Sequence, residues 1–393
     1  MKINTKHILF IFLIPFTTLF NASEDNLQYS KLHEDITILK DITLPAGFII
    51  EIYANNIKSP RQMAQSDAGI VYVGSKSGDS IYALIDSNND NYAEARVLVA
   101  SGLSNPTGVA FKDGSLFFSE VSKIWMIKNI DNYVETSDYK TLPKKTLITD
   151  KLPSDTWHGW KWLGFGPDGY LYVPVGAPCN ICLKPLQDDS RFASIHRVLQ
   201  DGNLETVASG IRNTVGFDWH PTTEKLYFSD NGRDWLGDDS PSCELNVINE
   251  EGEFFGYPYK HATNVIDPEY GKLIPGLEKE FTDPILELGA HVAPTGIAFY
   301  DKNNFPLSYK NNLFITLHGS WNRSKKVGYK VISVSFDDNG NYLTHQDFAT
   351  GWLKEGKVSG RPSAPFVKND GSLLIADDKH NAIYRITYSS EKL

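Results

Sequence analysis

The sequence predicts an all-β protein, a six-bladed β-propeller built from four-stranded antiparallel blades. From residue 49 onward, apolar runs rich in Tyr, Phe, Val and Leu alternate with turns containing Gly, Pro or Asp, and helical periodicity is hard to find. One unit recurs six times, at spacings of about 45 to 80 residues, which fits propeller blades with loop insertions. A single small sheet cannot bury both of its faces, whereas a ring of sheets buries the faces between neighbours.

Each unit begins with a segment containing Pro or Gly, continues as an apolar strand, and returns through a turn into a second strand. The clearest copy is HGWKWLGFGPDGYLYVPVGAPCNIC at 158–182, where GPDG is the turn. A β-sandwich does not predict a repeated unit, and the coils of a β-helix are shorter. The six first segments are 60–63, 106–111, 158–165, 215–219, 294–299 and 361–366, and the returning strands are 70–73, 116–118, 170–173, 226–230, 313–316 and 373–376. The inserts predicted to be surface loops are 133–155, 177–192, 232–243 and 254–284.

The N-terminus has the pattern of a secretory signal peptide, residues 1–23, followed by a single propeller domain over residues 24–393. Lys2 and Lys6 precede an apolar run at 8–20, and small residues at 21–23 offer a cleavage site. The alternative is an uncleaved anchor, but the run is short for a membrane span and Pro15 interrupts it. The expected location is therefore periplasmic or secreted, with no membrane insertion after the signal is removed.

The composition argues against several functions. The chain has 393 residues, is 41% hydrophobic, and carries a net charge of −10. An acidic protein is poorly suited to nucleic acid or to anionic lipid, because both attract Lys and Arg. Glycine-rich dinucleotide and phosphate-binding loops are absent from the sequence, so nicotinamide and phosphate chemistry lack their usual support.

Three cysteines follow the signal segment. Cys179 and Cys182 form a C-x-x-C pair, and in an exported protein a local disulfide between them is the first expectation. Cys243 stands apart and could instead pair with either of them.

Polar residues cluster at the ends of the repeated strands, where a propeller gathers them around its channel mouth. His158, beside Gly159, is titratable and lies where the backbone can approach a ligand. A single Arg in such a place would usually tie loops together, but several at equivalent positions suit an anionic, oxygen-rich ligand. The residues expected at the mouth are Arg61, Gln62, Asn105, His158, Arg212, Asn213, His291 and Arg361, with the strand-ending segments 230–234, 318–323 and 377–380.

These residues carry a resemblance to a known family. The motifs GIRNTVGFDWHP, FSDNGRDWLGDD, LFITLHGSWNRS, GRPSAPF and LLIADD, with the 158–182 segment, resemble the sorbosone dehydrogenase family, exported quinoproteins related to soluble glucose and aldose sugar dehydrogenases. The resemblance runs from about residue 49 to residue 388. It implies a six-bladed propeller that holds pyrroloquinoline quinone (PQQ) with a Ca²⁺ ion at its mouth.

The resemblance also implies roles for individual residues. His158 matches the general base, and the backbone carbonyls of Gly232 and Arg233 match the Ca²⁺ ligands. Ala177 stands where the glucose enzymes carry an Asp after the hairpin. The residues implied to contact the cofactor are Arg212, Asn213, Arg323, Arg361, either Asp377 or Asp378, and either Gln62 or Asn105.

A second calcium site is a further candidate. Asp86, Asn88 and Asp90 place oxygen side chains at alternate positions, and Glu94 follows. The segment lacks the Gly of a calcium loop, and a hairpin turn rich in Asn and Asp is an equally good interpretation.

The predicted function is oxidation of an aldose, or a related sugar aldehyde, by hydride transfer to Ca²⁺-bound PQQ, with electrons passing to a soluble or membrane acceptor. A propeller lactonase is one alternative, but its metal would need Glu, Asp and Asn on the axis, where this chain supplies Arg and His. A non-catalytic glycan-binding propeller is another, and it would not need His158 or the arginines.

Overall fold

The structure, a computed structural model, describes residues 29–31, 39–273 and 281–392. It confirms the predicted fold class: six four-stranded antiparallel sheets form the blades of a propeller. The innermost strands of neighbouring blades contact one another, and the last contacts the first. Between blades three and four, Gly164 lies against the ring of Phe217, so the ring of blades is closed. The predicted signal peptide, residues 1–23, lies outside the described residues.

The first three blades follow the chain from the innermost strand outward. The predicted hairpin after His158 is present, with Gly164 paired opposite Tyr172. Blade one is β3 (Pro60–Gln65), β4 (Val71–Ser75), β5 (Ile81–Ile85) and β6 (Ala95–Ala100); blade two is β7 (Val109–Lys112), β8 (Ser115–Ser119), β9 (Ile124–Lys128) and β10 (Thr146–Thr149); blade three is β11 (Gly164–Phe165), β12 (Leu171–Val175), β13 (Ser194–Val198) and β14 (Leu204–Ser209).

Blades four and five repeat this order, and blade six closes the ring with a strand from near the N-terminus. That strand, β2 (Phe48–Ala54), pairs with β29 as the outermost strand of blade six. Blade four is β15 (Phe217–Trp219), β16 (Leu226–Asp230), β17 (Ser242–Ile248) and β20 (Leu286–Ala290); blade five is β21 (Pro294–Phe299), β22 (Leu313–Leu317), β23 (Lys330–Phe336) and β24 (Tyr342–Ala349); blade six adds β27 (Pro362–Val367), β28 (Leu373–Asp377) and β29 (Ala382–Tyr388). The short strand β1 (Tyr29–Lys31) pairs with β6 as a fifth strand of the first sheet.

The inserts predicted to be loops contain some regular structure. The 133–155 segment supplies the outermost strand of blade two, β10, because its Leu147 and Thr149 pair with β9. The remaining elements are the hairpins β18 (Lys260–His261) with β19 (Val265–Ile266) and β25 (Leu353–Lys354) with β26 (Lys357–Val358), the helices α1 (Ile130–Thr136) and α2 (Lys184–Asp188), and the 3-10 turns Gly271–Leu273, Leu307–Tyr309 and Ser390–Lys392. Within the described ranges, no helix has both the length and the apolar character needed to cross a membrane.

The blades pack face to face through buried aromatic side chains. Tyr72 and Phe118 belong to the cluster between blades one and two. Phe314, Phe348 and Tyr384 belong to the cluster between blades five and six, where the Phe314 and Phe348 ring centroids are 4.6 Å apart. Burial of these large rings supplies much of the hydrophobic free energy that holds neighbouring blades together.

Near the axis the innermost strands approach so closely that glycine is required. A Cβ at Gly216 would lie 2.4 Å from the carbonyl oxygen of Thr295 in the next blade, and one at Gly108 would lie 2.7 Å from that of Lys161. These glycines allow the backbones to meet around the channel.

Candidate active site

One end of the propeller opens into a cavity of about 660 Å³. Its wall comes from segments at the start of innermost strands and from those that follow the second strands of blades one, four and five. The charged, histidine and tryptophan residues of the wall are Arg61, Lys76, Asp155, Trp157, His158, Trp160, Arg212, Asp234, His291, His318, Trp321 and Arg361.

His158 lies in this wall as an uncharged base. Its backbone has a φ of 50°, in the left-handed region, and its ring Nδ1 is 2.8 Å from the carbonyl oxygen of Ala177. Since a carbonyl can only accept, Nδ1 carries the proton and Nε2 is left as the acceptor. Burial, reinforced by the positive charges of Arg212 and Lys161, holds the pKa of His158 well below 6.5. The backbone carbonyl of Ala177 therefore fixes the ring's tautomer.

Arg212 and Asn213 are held at the cavity by the end of the neighbouring strand. Their backbone N–H groups donate to the two carboxylate oxygens of Asp230, at 2.8 and 2.6 Å. The Arg212 guanidinium donates to the backbone and side-chain oxygens of Asn180, both at 2.9 Å, and to the carbonyl of Asn231 at 3.0 Å. These three bonds use three of its five N–H groups, and the Asp234 carboxylate lies 3.7 Å from one terminal nitrogen.

Asn180 is a residue that the sequence reasoning missed. Its side-chain oxygen also accepts from the backbone N–H of Asp234 at 2.8 Å, so one amide fixes two wall residues. The loop that carries Asn180 is closed by the expected local disulfide between Cys179 and Cys182. The C-x-x-C spacing predicts the loop, but the contacts of Asn180 with Arg212 and Asp234 join distant parts of the chain and depend on the fold.

The third cysteine is buried in the same region. Cys243 is a free thiol in the cavity wall, and burial raises its pKa to about 11. It is therefore a neutral thiol at physiological pH and does not act as a thiolate.

Gly232 lies in the wall, whereas the next residue is anchored behind it. The guanidinium of Arg233 forms ion pairs with Asp267 and, at 3.1 Å, with Glu269. Arg233 is 5% exposed and does not line the cavity. Its ion pairs secure the loop whose carbonyls are the predicted Ca²⁺ ligands, and that role of the carbonyls stays a prediction.

Arg361 lies in the wall, and Asp377 holds it from behind. The backbone N–H of Arg361 donates to Asp377 at 2.9 Å, and its guanidinium donates to the carbonyls of His318 and Gly319 at 3.0 and 2.6 Å. Asp377 also accepts from the Tyr384 hydroxyl at 2.8 Å and is fully buried. It is outside the cavity wall and acts on Arg361 through the backbone.

Asp378 joins three groups just behind the wall. It accepts from Arg61 at 2.8 Å, lies 3.0 Å from His318 Nε2, and is 3.5 Å from Lys76 Nζ. Burial alone would raise the pKa of Asp378, but Arg61, His318 and Lys76 hold it well below its usual range. Burial lowers the pKa of His318 to about 3, so His318 is neutral and donates to Asp378. Lys76, which was not predicted, follows β4 and adds a cation to the wall.

Besides Asp377 and Asp378, three residues predicted to contact the cofactor lie outside the cavity wall. Gln62 points into the propeller interior. Its side-chain NH2 donates to the carbonyl of Leu163, and its side-chain oxygen accepts from the backbone N–H of Leu163. Asn105 occupies a left-handed turn with a φ of 48°. Arg323 pairs with Asp239 at 2.6 Å. The structure thus brings Arg212, Asn213 and Arg361 to the cavity with His158 but not these three.

The Asp86 loop is separate from the cavity. One carboxylate oxygen each from Asp86, Asp90 and Glu94 lies within 4.8 Å of the others, a grouping that could hold a metal ion. The Asn88 amide donates to Asp90 at 2.9 Å, as expected for a hairpin turn rich in Asn and Asp. The second calcium site stays a prediction, and Ca²⁺ titration of an Asp86→Asn variant would test it.

The cavity wall fits a polycarboxylate better than a neutral ligand. It contains four cationic side chains, Arg61, Lys76, Arg212 and Arg361, against two carboxylates. Guanidinium groups bind carboxylates in a forked geometry, and a buried site strengthens that attraction. A neutral imidazole in the same wall adds a proton acceptor, and carbonyl-rich loops beside it offer the oxygen ligands that Ca²⁺ prefers.

Solved structures share this fold at low sequence identity. The calcium structure of Trichoderma reesei Carbohydrate-Active Enzymes family AA12 matches with a TM-score of 0.73 and 19% identity, over 93% of this chain and 100% of that one. The holo form of the pyranose dehydrogenase PQQ domain from Coprinopsis cinerea matches with a TM-score of 0.71 and 17% identity, over 88% and 97%. The PQQ-bound aldose sugar dehydrogenase from Streptomyces coelicolor matches with a TM-score of 0.60 and 18% identity, over 88% and 100%. The structural neighbours thus include PQQ-dependent sugar dehydrogenases.

Sequence comparison gives a more specific relationship. A Borreliella burgdorferi protein described as uncharacterized is 38% identical over 366 residues, which cover 90% of this chain and 92% of that protein. Residues 277–389 match a TrAA12-like family model. Residues 36–327 match the model described as a domain of unknown function, DUF7133. The chain therefore belongs to the DUF7133 family.

Proposed function

We propose that this protein is an exported quinoprotein dehydrogenase that oxidises an aldose or a related sugar aldehyde. The observation that carries the proposal is the combination within one cavity of a neutral His158, its Nδ1 fixed by Ala177, with four cationic side chains. The fold shared with PQQ-dependent sugar dehydrogenases supports the same interpretation.

His158 is the general base. Its Nε2 accepts the proton of the sugar hydroxyl, and the imidazolium that forms is oriented by its bond to Ala177. PQQ with Ca²⁺, when bound, would supply an electrophilic two-electron acceptor for the hydride of the sugar C–H bond, and the hydroxyl proton would pass to His158. An aldose oxidised at C1 leaves as a lactone.

The cationic wall residues hold the cofactor. Arg212 and Arg361 are pre-oriented by buried contacts behind them, so little side-chain entropy is lost when they bind carboxylates. Asn213 would add an amide contact to the cofactor, and the carbonyls of Gly232 and Arg233 would supply oxygen ligands to Ca²⁺. Arg61 and Lys76 extend the positive wall on the side of Asp378.

The remaining parts of the proposal concern location and partners. The signal-like residues 1–23 would direct the protein to the periplasm or outside the cell, and a soluble or membrane acceptor would take the electrons. The sequence resembles the sorbosone dehydrogenase family, so sorbosone should be tested as a substrate together with common aldoses.

The proposal is tested with His158→Gln in dye-linked sugar oxidation. The substitution removes the proton acceptor, so kcat should fall by about 100- to 10,000-fold while PQQ binding and the unfolding temperature stay the same. His345→Gln is the matched control, since His345 is exposed on an outermost strand. Full activity of His158→Gln would contradict the general-base assignment.

A further inference from the structure

The exposed tryptophans of this protein collect at one place. The chain has eight tryptophans, all within the described ranges, and only three are exposed. Trp157 is 54% exposed, Trp235 is 66% and Trp321 is 67%. Trp157 and Trp321 lie in the cavity wall, and Trp235 contacts Trp321 at the rim. Large apolar groups left in water beside a cavity indicate a binding surface, because their exposure costs free energy that a ligand can recover.

The Trp235 and Trp321 rings form an open corner. Their centroids are 5.7 Å apart and their planes meet at 86°. Since both side chains remain about two thirds exposed, this contact leaves ring surface available to a ligand. Trp157 packs against His158 with a centroid distance of 5.8 Å, so the aromatic surface extends to the proposed base.

The backbone of Trp235 is costly to maintain. Its φ is 72°, in the left-handed region that a bulky residue rarely adopts. The preceding residue, Asp234, is held by Asn180 at both its N–H and its carbonyl, at 2.8 and 3.1 Å. A strained, exposed aromatic residue that directly follows a residue anchored to the same amide as Arg212 points to a ligand role, since such strain persists mainly at functional sites.

We propose that Trp235 and Trp321 form a second sugar subsite, which takes the glycosyl unit next to the one oxidised over His158. This inference rests on the proposed function and adds that the substrates are oligosaccharides or glycosides. Pyranose rings have apolar C–H faces that pack on aromatic faces, while their hydroxyls stay hydrated in an open rim. A cavity of about 660 Å³ whose wall carries charged and aromatic side chains, with Trp235 outside it against Trp321, suits a ligand with one reacting end and a longer body.

The test uses Trp235→Ala, because Trp235 lies outside the cavity wall and should not touch the reacting unit. The probes are glucose and xylose with their β-1,4-linked dimers and trimers. Their affinities are measured by calorimetry on the full chain before PQQ is added, and kcat/KM is measured after loading with PQQ and Ca²⁺. Leu307→Ala is the control, an apolar residue 86% exposed outside the wall. Trp235→Phe keeps an aromatic ring.

We expect at least one oligomer series to bind more tightly than its monomer. Trp235→Ala should then weaken binding and kcat/KM for the trimer about tenfold, equal to about 1.4 kcal/mol, and change the monomer less than about twofold. Trp235→Phe should recover most of the loss. Trimers that bind no better than monomers in both series would overturn the subsite, even if monomers are oxidised.

Two other results have distinct meanings. Length-dependent binding that needs Trp235, without oxidation of any sugar, supports the subsite and rejects the dehydrogenase. Unchanged sugar kinetics in Trp235→Ala, with slower reduction of cytochrome c as a protein acceptor, would overturn the subsite and assign the tryptophans to acceptor docking.

Discussion

At the residue scale, the neighbouring carboxylates Asp377 and Asp378 have different structural roles, which the sequence alone does not distinguish. The Asp377 carboxylate accepts hydrogen bonds from the backbone N–H groups of Arg361 and His380 and from the Tyr384 hydroxyl. It therefore shapes the turn that carries Arg361. Asp378 binds Arg61 and His318 and so places a cation at the wall. The resemblance to the sorbosone dehydrogenase family implied that either Asp377 or Asp378 contacts the cofactor. The contacts show that both support cavity cations from behind.

The low pKa of His158 predicts the shape of the pH profile. In the proposed mechanism the unprotonated imidazole is the active form, and its pKa lies well below 6.5 because of burial and the charges of Arg212 and Lys161. We therefore expect kcat/KM to be constant above pH 6.5 and to fall only as the pH drops through the lowered pKa. Steady-state assays from pH 4.5 to 8.5 measure this, with PQQ retention followed in parallel to exclude cofactor loss. An acid limb centred at or above pH 6.5 would contradict the assigned environment.

At the scale of elements, the disulfide loop positions two residues of the cavity wall, Arg212 and Asp234, through Asn180. Asn180→Ala removes the side-chain oxygen that accepts from Arg212 and from Asp234, which leaves two buried donors without that partner. We expect PQQ affinity to fall about tenfold, since an unsatisfied buried donor costs about 1 to 3 kcal/mol. Fluorescence titration with PQQ at saturating Ca²⁺ measures the change.

Two variants separate this positioning role from general destabilisation. Asn180→Asp keeps an acceptor oxygen and should hold PQQ affinity within about threefold, while Asn203→Ala, in an exposed turn, should have no effect. Replacing Cys179 and Cys182 together by Ser opens the loop and should act in the same direction as Asn180→Ala. Unchanged affinity in Asn180→Ala would show that Arg212 is positioned without this amide.

The axial glycines give a prediction about stability. Gly216→Ala places a methyl group 2.4 Å from the Thr295 carbonyl oxygen, a backbone atom that cannot rotate away. We expect the free energy of unfolding to fall by about 2 to 3 kcal/mol, the cost of overpacking. Urea unfolding followed by circular dichroism measures it. Gly114→Asn is the control, because its left-handed turn is open and Asn tolerates that conformation. Equal midpoints for Gly216→Ala and wild type would contradict the close approach.

At the scale of the molecule, the sequence predicted the repeating architecture because each blade carries its own local signal. Strand alternation and turn residues identified all six inner hairpins, including the one after His158. The closure of blade six by β2 was not predicted, since that pairing joins distant parts of the chain. The strand β10 was interpreted as loop because its pattern is short and partly exposed.

Part of the candidate site was predictable because the repeated blade pattern also shows where each innermost strand begins. His158, Arg212 and Arg361 precede innermost strands, so the repeat places them at the mouth. Arg323 was also expected at the mouth, at the end of the segment 318–323, but its loop turns it toward Asp239. Asn180 lies within an insert, whose conformation no repeat constrains.

The most direct test of the account is PQQ binding by the purified protein. PQQ and Ca²⁺ are added to the chain without its first 23 residues, the visible spectrum is recorded, and a panel of aldoses and sorbosone follows. The account predicts a bound quinone spectrum that depends on Ca²⁺ and is bleached by at least one sugar in wild type but not in His158→Gln. No PQQ binding, even at excess Ca²⁺, would contradict the account.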